Sequence, residues 1–186
     1  TRQDTTGTVA LEHMMLDQVE RVEIVRGNVS AIYGSGAIGG VIQVFTRQGQ
    51  GTPKGFGQLE AGSYGSVRAS AGLSGQAGDT RFSLGVGRHK TDGFSSMDVT
   101  QYPAESPDAD GYRNTNYNVA ISHELVKGNT LGLRAQGSDG TFEFDGGGFG
   151  TGTDVYTGRN KQDTWSIFSH NQITRDWREQ RLGHRP

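Results

Sequence analysis

Asp108-Ala109-Asp110-Gly111 is the segment of this chain best suited to hold an ion. Two carboxylates one residue apart, followed by a glycine, offer the hard oxygen ligands that calcium takes. Asp145 and Asp154 add carboxylates from a second polar stretch and would have to converge on the first pair. The calcium loop of helix–loop–helix proteins is not the frame, because no bidentate glutamate follows at the required place. Solvated loop carboxylates are the plain alternative. A second candidate, Gly34-Ser35-Gly36-Ala37-Ile38-Gly39, matches G-x-G-x-x-G. A dinucleotide site needs that motif directly after a strand and opening a helix, yet about eight residues separate it from Val22–Val25. The β-branched stretch Val41–Thr46 follows, so no helix supplies a dipole, and the glycines fit the positive φ angles of a compact turn. The histidines at 13, 89, 123, 170 and 184 lack metal-ligand spacing. No serine sits in a nucleophile elbow. No catalytic set emerges, the chain reads as a non-enzyme, and no cofactor is required.

The elements around these residues are strands. From Lys54 onward, about six segments of near ten residues alternate apolar and polar side chains, the period of a half-buried strand. Val67, Ala69, Ala71 and Leu73 oppose Arg68, Ser70, Gly72 and Ser74. Phe82, Leu84 and Val86 continue the pattern, as do Tyr117, Val119 and Ile121, then Leu131, Leu133 and Ala135, then Trp165 and Ile167. Gln76–Asp79 and Lys127–Asn129 are short glycine-bearing turns, whereas 89–114 and 138–162 are long polar loops. That asymmetry is the habit of outer-membrane barrels. The aromatics Phe56, Tyr64, Phe82, Phe94, Tyr112, Tyr117, Trp165 and Phe168 fall near strand ends, as an interfacial girdle would.

Composition agrees with an inside-out protein. Only 32% of the 186 residues are hydrophobic, and 30 are glycine, while mean hydropathy is -0.61. Such values suggest disorder, but a transmembrane barrel reaches them too, since only alternate residues face lipid. No run of about 18 apolar residues is present, so no transmembrane helix is expected. Cysteine is absent, and the net charge of -2 gives no nucleic-acid footprint.

Val19–Arg47 carries the identity. Val19-Glu20-Arg21-Val22-Glu23-Ile24-Val25-Arg26-Gly27, then Ser30-Ala31-Ile32-Tyr33-Gly34, then Ala37-Ile38-Gly39-Gly40-Val41-Ile42 reads as strand, turn, short helix, glycine turn and strand. It resembles the C-terminal part of the plug domain of TonB-dependent outer-membrane receptors. The strands that follow resemble the first barrel strands of that family, nearest its vitamin B12 (cobalamin) branch. Asn28 departs from the pattern, where the family commonly has proline.

The resemblance implies a mainly β chain. The C-terminal part of a small α+β plug would occupy 1–48 and a linker 49–53, with the first strands of an antiparallel transmembrane barrel over 54–186. The whole would be a fragment of a larger receptor, its tail 176–186 having lost alternation. It also implies energised uptake of a scarce nutrient across the bacterial outer membrane, either a corrinoid or an iron–siderophore. The partners would be outer-membrane lipid and the inner-membrane TonB complex, reached through an N-terminal segment missing here. Glu20, Arg21, Glu23 and Arg26 would hold the plug against the barrel wall. Thr5 and Thr6 would lie in a substrate-contacting loop, and Asp108, Asp110, Asp145 and Asp154 would bind calcium. A soluble β-rich adhesin is the competing class.

Overall fold

Residues that alternate apolar and polar gain most as extended chain, where one face can be shielded while the backbone pairs with its neighbours. A computed structural model describes residues 19–95, 97–98, 100–101, 108–145, 155–174 and 177–185. It contains a two-stranded and a seven-stranded antiparallel sheet.

Strands β1 (Val19–Arg26) and β2 (Gly40–Thr46) form the small sheet. Ile24 pairs with Ile42 and Val22 with Val44. Between them lie one helical turn, α1 (Ser30–Tyr33), and a 3-10 turn at Ser35–Ala37. Asn28 Oδ1 accepts hydrogen bonds from the Ser30 amide at 3.1 Å and its hydroxyl at 2.6 Å. A local side-chain hydrogen bond from the residue before the N-cap Val29 thus holds the turn that proline would fix through φ. Gly34 (φ 89°) ends the helical turn and Gly40 (φ 136°) opens β2 against the Val25 carbonyl. Strand β2, not a helix, follows Gly39, so the glycine motif lacks the helix N-terminus that a dinucleotide phosphate site uses.

The large sheet is a meander of β3 (Lys54–Ala61), β4 (Val67–Ala77), β5 (Thr80–Thr91), β6 (Tyr112–Val126), β7 (Asn129–Phe144), β8 (Tyr156–Gln172) and β9 (Arg178–Arg185). Every strand pairs with the next, and β3 and β9 are the edges. Seven strands stand where about six were expected. The tail forms β9, which pairs with β8 from Gln172↔Arg178 to Trp165↔Arg185. Its lack of apolar alternation did not prevent pairing, because ladder hydrogen bonds come from the backbone.

Both tight turns appear where the glycines put them. Gly78 (φ 57°) joins β4 to β5, and Gly128 (φ 84°) joins β6 to β7. The Glu124 carboxylate accepts the Gly128 amide at 2.8 Å. The long loops are shorter than expected, since β5 runs to Thr91, β6 starts at Tyr112, β7 runs to Phe144 and β8 starts at Tyr156. Apart from the inward aromatics Tyr112, Phe142, Phe144 and Tyr156, the added strand residues are polar or glycine, so no apolar stripe on the outward face marks them.

Burial is inverted relative to a soluble sheet. On one face Leu84, Val86, Ile121, Leu133 and Ile167 are 36–53% exposed, while on the other Ser83 is 1% and Asn118 8% exposed. The only buried hydrophobic residues among those described are Ala37 and Phe168. An apolar core is therefore not what shields this sheet. The outward apolar face requires an apolar solvent, and the inward face is polar, as in a membrane barrel.

Candidate functional site: the lumen face and the loop end of the sheet

The inward face is built from small and polar residues with rings laid over glycines. The Phe168 ring covers Gly132, Phe142 covers Gly158, and Phe56 covers Gly72, so any Cβ at these glycines would overlap a ring. Arg134 stacks its guanidinium 4.5 Å from the centre of the Phe168 ring, a cation–π contact. Of the aromatics expected to form a girdle, Phe56, Tyr112 and Phe168 belong to this inward set; Trp165 shares the outward row of Leu84 and Val119, and Phe82 and Tyr117 lie in the rows on either side of it. Chain position near a strand end does not decide the face, whereas parity along the strand does. The segment after β2 crosses the inward side. Gly49 lies against the carbonyls of Gly75 and Phe82, and the Gln76 amide donates to the Gly51 carbonyl at 2.7 Å.

At the loop end, two carboxylates strap the loop 92–111 to the end of β7. Asp145 Oδ2 accepts from the Met97 amide at 3.2 Å and from Ser95 Oγ at 3.3 Å. Glu143 Oε2 accepts from the Gly111 amide at 2.9 Å. Gly93 (φ 71°) packs its Cα against the Asp110 carbonyl, leaving no room for a side chain. The Thr91 hydroxyl donates to the Tyr64 carbonyl at 3.1 Å, and Tyr64 and Phe94 rings lie 5.1 Å apart. Asp98 accepts from the Thr100 amide at 2.9 Å and its hydroxyl at 2.6 Å. The Thr100 hydroxyl and amide hold the Asp98 carboxyl below its ordinary pKa. That contribution to loop order is present above the ordinary carboxylate range and is lost as pH falls through the lowered value.

The residues singled out in the sequence are distributed unevenly here. Asp145 does bridge the two loops, but through hydrogen bonds to Ser95 and Met97. Among the described residues no three His, Cys, Asp or Glu side chains stand together as a metal-binding group, so Asp108, Asp110 and Asp145 do not form one. Asp154, Thr5 and Thr6 lie outside the described residues. Arg21 Nε donates to Glu23 on its own strand at 2.7 Å and stacks 3.9 Å from the centre of the Phe45 ring. Glu20 and Arg26 lie exposed on the same strand. Glu143 and Asp98 were not singled out. Asp98-Val99-Thr100 is a local carboxylate–hydroxyl pattern that sequence could have flagged; the Glu143 contact spans 32 residues and had no such signal.

A two-stranded glycine-hinged unit followed by an inside-out meander defines a plug joined to barrel strands. Residues 2–41 match the TonB-dependent Receptor Plug Domain family. The chain is 27% identical over 165 residues to a vitamin B12 transporter of Photobacterium profundum, covering 89% of this chain and 25% of that protein. It is 30% identical over 146 residues to a vitamin B12 transporter of Vibrio cholerae, with 75% and 23% covered. It is 29% identical over 181 residues to a ferric enterobactin receptor of Pseudomonas aeruginosa, with 90% and 22% covered. A crystal structure of a ferric enterobactin receptor mutant from that organism, in complex with enterobactin, superposes with a TM-score of 0.65. That structure is 24% identical, with 87% of this chain and 27% of that one covered; the likeness shows the fold.

Residues 2–41 are thus those of a TonB-dependent receptor plug, and the chain as a whole is similar to TonB-dependent receptors, their vitamin B12 branch included. It spans about a quarter of the length of the relatives it matches. The family is one of receptors and transporters rather than enzymes.

Proposed function

We propose that the receptor to which this chain belongs sits in the bacterial outer membrane and takes up a scarce nutrient with energy from the inner-membrane TonB complex. The observation that carries this reading is the inverted burial of the β3–β9 sheet directly after a plug unit. A soluble adhesin sandwich would bury Leu84 and Leu133 and expose Ser83; the sheet does the opposite. The ligand is a corrinoid, supported by the similarity to vitamin B12 transporters. A ferric siderophore is the second reading, supported by the enterobactin receptor match at comparable identity. Import needs no covalent step. Ligand meets the loops and the plug apex, Thr5 and Thr6 among the contacts, and a pull on the plug opens the path. Glu20, Arg21, Glu23 and Arg26 hold the plug by hydrated ion pairs worth about 0–1 kcal/mol each, weak enough to switch.

The test is growth of a receptor-deleted host carrying the full-length gene, on limiting cobalamin and on limiting iron with a siderophore. Rescue on cobalamin alone supports the corrinoid; rescue on iron alone replaces it with the siderophore; rescue on neither sinks the transport reading.

Calcium remains part of the proposal, with Asp108, Asp110, Asp145 and Asp154 as ligands drawn together from the two loops. Calcium should then slow proteolysis of the 92–111 loop in the intact receptor, and Asp108→Asn should abolish that protection. Equal cleavage rates with and without calcium would exclude the ion.

A further inference from the structure

The inward face gathers positive charge at the end of the sheet that carries the tight turns. Register puts Lys54 and Arg134 in one inward row, and Arg81, Ser122 and Phe168 in the next row towards the turns. Thr130 and His170 are paired in the row after that. Arg81, Ser122, Arg134 and His170 line one pocket of about 260 Å³, which Gln48 and Gly49 of the segment after β2 line as well. The Phe168 ring organises two of these groups. It carries the Arg134 guanidinium 4.5 Å from its centre and meets the His170 ring edge-on at 5.2 Å. Side chains already restrained in this way lose less freedom when a ligand arrives.

These charges are not offset within the sheet. No ion pair among the described residues involves Lys54, Arg81 or Arg134, and both arginines are exposed on the inward side. Glu124 follows Ser122 on the same face of β6, but its carboxylate is taken by the Gly128 amide at 2.8 Å. Arg47 adds a further guanidinium close by, 5.5 Å from the centre of the Phe56 ring. Guanidinium forks with hydroxyl donors beside them suit an oxyanion that can accept several N–H and O–H bonds at once. A lone carboxylate carries too little charge to answer all of these groups.

From this pocket we infer that the turn end of the lumen wall binds a phosphate group. Arg81 and Arg134 donate to it as forks, with Ser122, Thr130 and His170 completing the set. The pocket lies away from the lipid face and opposite the long loops, where a solute released past the plug would leave the barrel. The inference therefore rests on the transport reading and deepens it. The phosphate is either a phosphodiester carried by the solute, as in the nucleotide loop of vitamin B12, or free phosphate.

The experiment uses the full-length receptor in detergent with inorganic phosphate as the probe, read by the line width of its phosphorus NMR resonance. Wild type should broaden the line, and Arg81→Gln with Arg134→Gln should weaken binding at least about tenfold, the effect of losing charge-assisted hydrogen bonds. Arg81→Lys should restore only part, because an ammonium keeps the charge and loses the fork. No broadening by wild type, or equal broadening by the double variant, overturns the site. Should the double variant fail to fold because the Phe168 stack is lost, Arg81→Gln alone decides, since no cation–π contact among the described residues involves Arg81. Cellular uptake then separates the two sources. Cyanocobalamin carries the phosphodiester and cobinamide lacks it, so a solute-borne phosphate requires the double variant to lose at least about fivefold more uptake of the first. Equal losses assign the site to free phosphate. Wild type that imports neither corrinoid overturns the corrinoid reading; import of both by a receptor that leaves the phosphate line unchanged overturns the site alone.

Discussion

Gly137 shows how one missing side chain organises a surface. It lies between Tyr117 on β6 and Asp163 on β8 in one outward row, and the Tyr117 hydroxyl reaches over it to Asp163. A Cβ there would overlap both the Tyr117 ring and the Asp163 carboxylate. Gly137→Ala should break that hydrogen bond and destabilise the assembled receptor by about 1–3 kcal/mol, the usual cost of overpacking. Urea unfolding of the intact protein in lipid vesicles measures it, and an unchanged midpoint would show that the neighbours yield freely. The same reasoning explains why Gly132, Gly158 and Gly72 each face a phenylalanine: the ring replaces the packing that the glycine cannot supply.

For a strand, the decisive quantity is which parity faces hydrocarbon. Leu84 on β5 is outward and Gln136 on β7 is inward. Leu84→Arg should cost about 2–4 kcal/mol near the bilayer midplane, whereas Gln136→Arg should cost little in a wet lumen. The amount of folded, heat-modifiable receptor in the outer membrane would rank the two; a larger loss for the Gln136 variant would reverse the assigned faces. Strand length fits the same picture. The 16 residues of β7 extend roughly 53 Å, or about 37 Å along the normal when tilted by about 45°, more than an apolar band of about 25 Å. The excess carries the polar rows.

For the whole molecule, the two open edges matter most. Unpaired backbone groups of β3 and β9 would each cost several kcal/mol in hydrocarbon, so these strands are stable in a membrane only with further strands beside them. The intact receptor should require detergent or lipid to remain monodisperse, as checked by size-exclusion with light scattering. A monomer in plain buffer would rule out the lipid-facing assignment. The sequence by itself determined the strand-forming parity from Val67 to Ile167, the two glycine turns and the plug motif, because periodicity and positive φ are local properties. It did not reveal β9, the true ends of β5–β8 or the inward turn of Phe56 and Phe168. Those depend on backbone pairing and register with a neighbouring strand, which side-chain alternation does not encode. The Asp145 and Glu143 straps and the gathering of Arg81, Arg134 and His170 around one pocket were decided by tertiary structure too. They join residues tens of positions apart that only the meander brings side by side.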